Sequence, residues 1–321
     1  MWRLLDSPSA DPELTRPVAR LGRHFARYAE VIPDFPGFLA AVETAAPVHL
    51  RVNTLKASPE SVRAELEAQG FQLSPEPWCP RVLRVGGEMP AALGTTLLHA
   101  LGHVYLQSAS SAVPAIALGA RPGDRVLDLC AAPGSKATFV AQDMGDEGCL
   151  VANEPNRSRL KSLVSNLERL GVTSAVVTSY SGQNFPLRCR FDRVLVDAPC
   201  SGEGTWRGRE ARPKPVNPGF RAYLTRQQTA LLRRGYEVLD SGGALVYATC
   251  TYAPEENEAV VGPFLEETGA RVVPLELAAQ GEPGLTEWAG RRFPPELALA
   301  RRLYPHRFDS EGFFVVHVAK P

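Results

Sequence analysis

From residue 125 onward, short apolar stretches alternate with stretches of helical periodicity, and this alternation constrains the fold more than any other feature of the chain. Strands that alternate with helices form a mostly parallel sheet with helices on both faces. The sequence predicts seven strands, at residues 125–131, 149–153, 175–178, 191–197, 244–249, 272–275 and 313–318. The predicted fold class of this part of the chain is therefore α/β.

The first third of the chain has a different pattern. Residues 1–47 are predicted to be mainly helical, because apolar residues recur at three- and four-residue steps between Leu14 and Tyr28. A strand near residue 50, a helix that begins at Ser58 and two further strands predict a small α+β unit over residues 48–105. RNA-recognition domains have this pattern, and so do many unrelated domains.

Composition excludes several classes of protein. The chain has 321 residues with 35 Lys+Arg and 35 Asp+Glu, which argues against a highly basic nucleic-acid coat protein but permits a local basic surface. Its six cysteines form no C-x-x-C pair, which argues against structural zinc and favours reduced thiols. No run of about 18 apolar residues is present, so no membrane span is expected. We expect a cytoplasmic monomer without a metal ion.

Reactive side chains follow two of the predicted strands. The strand at 191–197 ends in Asp197-Ala198-Pro199-Cys200, and the strand at 244–249 leads into Cys250. Ligands of open α/β sheets bind at the carboxyl ends of the strands, so we expect Asp197, Cys200 and Cys250 to share one pocket. A thiolate is a strong nucleophile towards carbon. A single buried cysteine is more often an inert apolar residue, but two cysteines beside an acid favour catalysis.

A turn of small residues follows the strand at 125–131, and a helix begins after it. This turn is Cys130-Ala131-Ala132-Pro133-Gly134-Ser135-Lys136. Small residues let a ligand approach the backbone, and a helix N-terminus attracts anionic groups. Glu154 ends the next strand, where a carboxylate can accept hydrogen bonds from a ribose diol. A tight strand–helix turn and a helix-capping acid are the simpler interpretations of these two features.

Together these motifs resemble the Nol/Nop/Sun (RsmB-like) family of RNA cytosine-5 methyltransferases, with the bacterial RsmF-like enzymes as the nearest in pattern. The resemblance rests on residues 128–136, 197–204 and 249–257, and extends to 51–54 and 304–307. It implies a Rossmann-like class I methyltransferase domain over residues 106–321 that uses S-adenosylmethionine. It also implies an RNA substrate, with ribosomal RNA favoured and transfer RNA as the alternative.

The resemblance also implies a role for each site residue. In the family, the cysteine at Cys250 attacks C6 of the target cytosine, the acid at Asp197 supports N3, and the cysteine at Cys200 assists elimination. Lys136 lies where the cofactor site meets the active site. The cofactor would contact Glu154, Asp197 and the turn of residues Cys130, Ala131, Ala132, Pro133, Gly134, Ser135 and Lys136. The target base must be unpaired or flipped out to reach a thiol.

Two features of the sequence leave alternatives open. Ser181 stands where the family commonly has an acid that contacts adenine, so it is the candidate for that contact. Arg207, Arg209, Arg212 and Lys214 follow the Cys200 loop, where they could hold RNA phosphates or form a solvated loop. Two rival functions remain at this point: a methyltransferase for a small molecule or protein, and a catalytically silent RNA-binding assembly factor.

Overall fold

The computed structural model describes residues 22–208, 216–275 and 281–321. The part of the predicted N-terminal helix that contains Leu14 and Val18 lies outside these residues, as do Arg209, Arg212 and Lys214. The helices within them are α1 (Phe35–Glu43), α2 (Pro59–Ala68), α3 (Leu97–Ala100), α4 (Ala109–Leu118), α5 (Ser135–Asp143), α6 (Arg157–Leu170), α7 (Pro218–Val238), α8 (Glu258–Thr268) and α9 (Pro305–Phe308). None of the described helices has the length and apolar character needed to cross a bilayer.

A four-stranded antiparallel sheet forms the smaller, N-terminal unit. Its strands are β1 (Val48–Val52), β2 (Gln72–Glu76), β3 (Cys79–Gly86) and β4 (Val104–Leu106), in the order β2-β3-β1-β4. With α2 after β1 and α3 after β3, the arrangement is a split βαβ fold. Ser58 begins α2 by accepting the Ser61 N–H at its side chain, and Val62 and Leu66 bury the inner face of the helix. This is the α+β unit that the sequence predicts, completed by β4.

The larger sheet has nine strands within the described residues. They are β5 (Arg125–Asp128), β6 (Cys149–Asn153), β7 (Ala175–Thr178), β8 (Phe191–Asp197), β9 (Leu239–Thr249), β10 (Arg271–Val273), β11 (Glu282–Pro283), β14 (Arg301–Leu303) and β15 (Phe313–Ala319). The order is β11-β14-β15-β9-β8-β5-β6-β7, and β10 also pairs with β15. Strands β5 to β9 pair in parallel, whereas β15 pairs antiparallel with its neighbours. A separate hairpin joins β12 (Glu287–Trp288) to β13 (Arg291–Arg292).

Helices cover both faces of this sheet, as the alternation of strands and helices predicts. Leu195 of β8 packs in one apolar cluster with Phe139 of α5, while its neighbours Val194 and Val196 pack on the other face with residues of α7 and α8. Strand β5 pairs with β6 on one side and with β8 on the other, so the chain reverses direction there. Ligands of open α/β sheets bind at the carboxyl ends of the strands at such a reversal.

The predicted fold class is confirmed, and the differences are local. Strands β11 and β14 were not predicted, because two- and three-residue strands with charged residues give no apolar alternation. Apolar periodicity predicts that the long helix α7 runs from residue 223 to residue 239, whereas it begins at Pro218, because Asn217 caps it by accepting the Phe220 N–H. Strand β9 begins at Leu239 instead of residue 244, and an irregular register precedes its regular pairing with β8.

Candidate active site

One cavity of about 410 Å³ opens at the carboxyl ends of the parallel strands. It contains both the predicted catalytic residues and most of the predicted cofactor-binding residues. The predicted residues that line it are Cys130, Ala132, Pro133, Ser135, Lys136, Glu154, Asp197, Cys200 and Cys250. Ala131, Gly134 and Ser181 are not among the lining residues; Gly182 and Gln183, which follow Ser181, are.

The two cysteines touch each other. Strands β8 and β9 are parallel neighbours, with Asp197 opposite Ala248, so the loops that follow them leave the sheet side by side. The Cys200 and Cys250 sulfur atoms are 3.3 Å apart, and both residues are half-buried. The contact with Cys250, and then burial, raises the pKa of the Cys200 thiol. Cys200 is therefore a neutral S–H group that can donate to the Cys250 sulfur.

Lys136 and Asp197 form an ion pair at the edge of the same cavity. The Lys136 Nζ lies 2.8 Å from Asp197 Oδ2 and donates to Ser111 Oγ at 3.0 Å. Burial disfavours the ammonium, but the charge and the hydrogen bond of Asp197, together with the charges of Cys250 and Asp128, outweigh it and raise the pKa of Lys136. The lysine is therefore charged, and it fixes the carboxylate of Asp197 beside the thiols. Ser111, on α4, was not predicted, since nothing in the local sequence distinguishes it from a helix-surface serine.

The turn between β5 and α5 forms another part of the cavity wall. Gly134 precedes α5 with φ 108, a left-handed conformation that favours glycine. Glu154 is 2% exposed, and its Oε1 accepts the Asn156 N–H at 2.8 Å while Oε2 lies 3.3 Å from Arg159 Nη1. Asn156, and not Glu154, is the N-cap of α6, so the capping interpretation of Glu154 is wrong, and Glu154 lies in the cavity wall next to that cap. The N-terminus of α5 can bind a carboxylate, and the buried acid Glu154 can accept hydrogen bonds from a ribose diol. The residues present therefore fit S-adenosylmethionine chemically.

Asp128 is buried directly beneath this turn. It is 1% exposed, Oδ1 accepts the Cys130 N–H at 3.3 Å, and Oδ2 has no partner among the described residues. Burial, together with the charge of Asp197, raises the pKa of Asp128 to about 7. The sequence placed Asp128 at the start of a motif but gave no sign that its carboxyl group would be left without a full set of partners.

A buried ion network holds the two cysteine loops together. Arg221 of α7 donates to Glu203 Oε1 at 2.8 Å and to Glu256 Oε1 at 2.7 Å. Glu203 follows Cys200 in the first loop, and Glu256 follows Cys250 in the second. Both carboxylates are 0% exposed. Burial alone would raise the pKa of Glu203, but hydrogen bonds from His24 and Tyr28 and the charge of Arg221 lower it to about 2.

Backbone contacts complete this clamp. Gln228 of α7 donates to the Pro199 carbonyl at 2.9 Å and to Glu256 Oε2 at 3.0 Å. The Gly204 N–H donates to the Cys250 carbonyl at 2.9 Å. Sequence reasoning missed Arg221 and Gln228, because two polar residues seven positions apart on an amphipathic helix are usually solvated. Arg207 is also buried and donates to the Ser310 carbonyl at 2.8 Å, so it is not part of an exposed basic loop.

Comparisons with known proteins agree with this geometry. Residues 115–319 match the family described as 16S rRNA methyltransferase RsmB/F, and residues 27–92 match the ferredoxin-like domain of RsmF/B-like methyltransferases. The chain belongs to the RsmB/F family. Both the predicted family and the predicted pairing of a Rossmann-like sheet with a small α+β domain are thereby confirmed.

Relatives of known name act on two kinds of RNA. The chain is 38% identical over 288 residues to the human (Homo sapiens) 28S rRNA (cytosine(4447)-C(5))-methyltransferase, covering 88% of this chain and 35% of that protein. It is 37% identical over 273 residues to the tRNA (cytosine(49)-C(5))-methyltransferase of Pyrococcus abyssi, covering 85% of this chain and 88% of that protein. The chain thus spans about a third of the human relative's length but most of the archaeal relative's.

A solved structure shares the whole fold. It is described as a methyltransferase homolog protein from Pyrococcus horikoshii, with 34% sequence identity and a TM-score of 0.85. The superposition covers 97% of this chain and 100% of that one. Both the small N-terminal sheet and the larger sheet therefore belong to the common architecture.

Proposed function

We propose that this chain is an S-adenosylmethionine-dependent RNA (cytosine-5) methyltransferase. The observation that carries the proposal is the 3.3 Å contact between the Cys200 and Cys250 sulfur atoms, beside the Lys136–Asp197 ion pair in a single cavity. A nucleophile, an acid and a second thiol around one slot match what methylation of an unreactive pyrimidine carbon requires. Family membership and the names of the relatives support the same reaction class.

The chemistry begins with activation of the base. Cys250 adds its sulfur to C6 of the cytosine, and the thiol proton passes to N3 with the Asp197 carboxyl group in the role of relay. The C5–C6 double bond is consumed, and C5 becomes the nucleophilic carbon of an enamine. When bound, S-adenosylmethionine supplies an electrophilic methyl group for C5. Lys136 keeps Asp197 oriented towards the base throughout.

Elimination restores the aromatic ring. The adduct must lose one proton from C5 and one from N3, while the bond between C6 and the Cys250 sulfur breaks. One of these protons returns to the cysteine pair, and the other is released to solvent. Cys200 stays protonated because its contact with Cys250 raises its pKa, so its S–H group can stabilise the sulfur as it leaves. This is the physical basis for its proposed role in elimination.

Cofactor binding is assigned to the other end of the cavity. We propose that the backbone of residues 130–136 and the N-terminus of α5 hold the methionine part, while Glu154 accepts from the ribose hydroxyls. Asp197 lies where the cofactor and base sites meet. Ser181 remains the proposed adenine contact, and Gln183 in the cavity wall is a neighbouring amide that can serve the same purpose.

Ribosomal RNA is the favoured substrate, and transfer RNA is the alternative. The family description and the human relative favour ribosomal RNA. The alternative is supported by the Pyrococcus abyssi relative, which is named for transfer RNA and whose length the chain nearly spans. Bisulfite mapping of RNA from a strain that lacks the gene separates these possibilities by the class of RNA that loses 5-methylcytosine. If no stable RNA loses the modification, the proposal fails.

We also propose a cytoplasmic, monomeric enzyme.

Covalent trapping tests the assignment of the two thiols. The Cys200→Ala variant should accumulate a protein–RNA adduct that survives denaturing electrophoresis, because the adduct forms but cannot be resolved. The Cys250→Ala variant should form no adduct, and neither should the Cys200→Ala/Cys250→Ala double variant. A trapped adduct with Cys250→Ala instead would reverse the two roles.

Titration of purified protein with S-adenosylhomocysteine separates an enzyme from a silent assembly factor, which would not bind the cofactor product.

A further inference from the structure

Two exposed aromatic rings lie next to each other on helix α7. Phe220 and Tyr223 are each 49% exposed, and their rings are nearly parallel, with an interplanar angle of 18° and centroids 6.4 Å apart. Single exposed rings are common on protein surfaces, but adjacent rings form an apolar patch of the kind that marks binding sites. Tyr180 is the other exposed aromatic ring in the described part of the chain, and it packs edge-on against Phe185.

These two rings are rigidly placed relative to the thiols. Asn217 caps α7 and accepts the Phe220 N–H at 2.7 Å, so the first turn of the helix is ordered. On the inner face of the same helix, Arg221 and Gln228 bind the loops that carry the two cysteines. The ring pair and the thiols are therefore parts of one fixed frame.

The ring pair is also continuous with the active-site cavity. Phe220, Tyr223 and Gln227 recur at the three- and four-residue steps that place residues on one stripe of a helix. Gln227 and Leu231 line the cavity that contains the thiols. At 1.5 Å per residue, Tyr223 lies only about 6 Å along the helix from Gln227. The rings therefore lie within about two helical turns of a residue that lines the cavity, a spacing on the scale of neighbouring nucleotides of one strand.

The charge beside the rings suits a phosphate backbone. Arg226 flanks the stripe, is exposed, and makes no ion pair with any residue in the described ranges. Parallel exposed rings with a nearby arginine are the elements with which proteins bind single-stranded nucleic acid without reading its sequence. The continuity of this helix face with the cavity, through Gln227 and Leu231, favours a strand of nucleic acid over a protein partner.

We propose that Phe220 and Tyr223 form a stacking platform for a base adjacent to the target cytosine of single-stranded RNA, with Arg226 on its phosphate. This subsite rests on the proposed function, which it extends by assigning a place for a flanking nucleotide. Stacking on an aromatic ring tolerates any base, so the platform would hold the strand while the thiols select cytosine.

Binding of a fluorescein-labelled ten-nucleotide oligocytidylate to the full chain, followed by anisotropy at low salt, tests the platform. The Phe220→Ala/Tyr223→Ala variant should bind the probe at least roughly ten-fold more weakly, as loss of base stacking requires. The Phe220→Tyr/Tyr223→Phe variant keeps both rings and should bind as wild type does. Leu187→Ala removes a comparably exposed apolar side chain elsewhere and should change nothing.

A second variant and a second readout separate base stacking from general apolar contact and from dimer formation. In Phe220→Leu/Tyr223→Leu the surface stays apolar but loses its rings, so binding should fall as in the alanine variant; full affinity would overturn the proposal. A 2-aminopurine placed beside the cytosine should be quenched by wild type and not by the alanine variant. If the rings instead join two copies of the chain, light scattering would show a dimer of the wild type and a monomer of the alanine variant. The affinity for the oligonucleotide probe would then be unchanged in the variant, and this result would also overturn the proposal.

The two proposals fail in different ways. Unchanged probe binding by the alanine variant of a chain that methylates RNA would reject the platform and leave the enzyme assignment intact. Ring-dependent binding by a wild-type chain that methylates no RNA would support the platform and reject the methyltransferase.

Discussion

Asp128 carries a carboxyl group into the interior of the larger sheet, where the fold raises its pKa to about 7 through burial and the charge of Asp197. An acid with a raised pKa keeps its proton in the folded state while the unfolded chain has already lost it. The folded state therefore binds more protons between about pH 4 and pH 7, and its stability falls as the pH rises through that window.

Asp128→Asn should remove this pH dependence. We expect the free energy of unfolding of the variant, measured relative to that of wild type, to increase by about 2.5 kcal/mol between pH 5 and pH 8, because only wild type loses stability over this range. Urea unfolding of the cofactor-free proteins at both pH values measures it. Asp146→Asn is a useful comparison, because hydrogen bonds from Thr173 and Ser174 outweigh burial and lower the pKa of that aspartate. Asp146 is therefore ionised in both the folded and the unfolded chain from pH 5 to pH 8, and its removal should not change the pH dependence in this window. Parallel stability profiles for wild type and Asp128→Asn would contradict the assignment.

The residues of the site differ in whether the sequence alone could identify them. Cys200, Cys250 and Asp197 were predictable to share a pocket, because each follows a strand and parallel strands end at one edge of the sheet. Ser111 and Arg221 were not, since their importance comes from what approaches them in space. Local sequence reports which residues end a strand, but not which distant side chain will donate to them.

At the scale of elements, helix α7 connects the two reactive loops. Removal of the charge of Arg221 would leave the Glu203 and Glu256 carboxylates buried without their cation. Because an unpaired buried charge is costly, we expect Arg221→Leu to lower the free energy of unfolding by about 3–5 kcal/mol. The triple variant Arg221→Leu/Glu203→Gln/Glu256→Gln should recover much of this stability but not the methylation activity, since the loops lose their clamp. Thermal unfolding measures the stability, and a methylation assay measures the activity. If the triple variant does not regain stability, the network acts by another route.

Gly204 lies where the loop after β8 contacts the backbone of both the loop after β9 and the segment before β15. A Cβ atom there would overlap the Gly312 carbonyl oxygen and lie 2.9 Å from the Cys250 carbonyl oxygen. Both contacts are with backbone, so the loops would have to separate. Gly204→Ala should therefore reduce methylation at least about ten-fold, a loss of about 1.4 kcal/mol of transition-state stabilisation.

The matched substitution Gly94→Ala places its Cβ against a flexible leucine side chain at 3.9 Å and should be tolerated. Far-ultraviolet circular dichroism checks that both variants remain folded. Equal activity of the two variants would mean that the spacing of the loops does not matter for the reaction.

The elements themselves were largely predictable. Long periodic segments such as α6 and buried apolar strands such as β8 carry their signal locally. Short strands such as β14 exist only because β15 offers an edge to pair with, and an edge three residues long leaves no pattern in the sequence. Long elements were therefore predictable from the sequence, and very short ones were not.

At the scale of the whole molecule, the small N-terminal sheet is fastened to α5, the helix that follows the proposed cofactor-binding turn. Arg51 of β1 is 0% exposed and donates to the Ser135 carbonyl at 3.0 Å and to Thr138 Oγ1 at 2.8 Å, both on α5. Its guanidinium also lies over the ring of Phe139, 4.7 Å from the centroid. An arginine in a strand is ordinarily expected to be exposed to solvent. The sequence therefore identified the motif around Arg51 but did not predict this contact between the two domains.

Arg51→Lys tests whether the two domains act as a unit. A lysine keeps the charge but cannot donate to both acceptors in a fixed fork, so the start of α5 should lose its support from β1. Because Ser135 lines the cavity, we expect S-adenosylhomocysteine to bind about three- to ten-fold more weakly, a change of about 0.7–1.4 kcal/mol. Isothermal titration measures this, with Arg63→Lys, an exposed arginine on the outer face of α2, as the control. Unchanged affinity in Arg51→Lys would mean that the cofactor site is independent of the N-terminal sheet. That result would favour a methyltransferase whose small domain does nothing beyond binding its substrate.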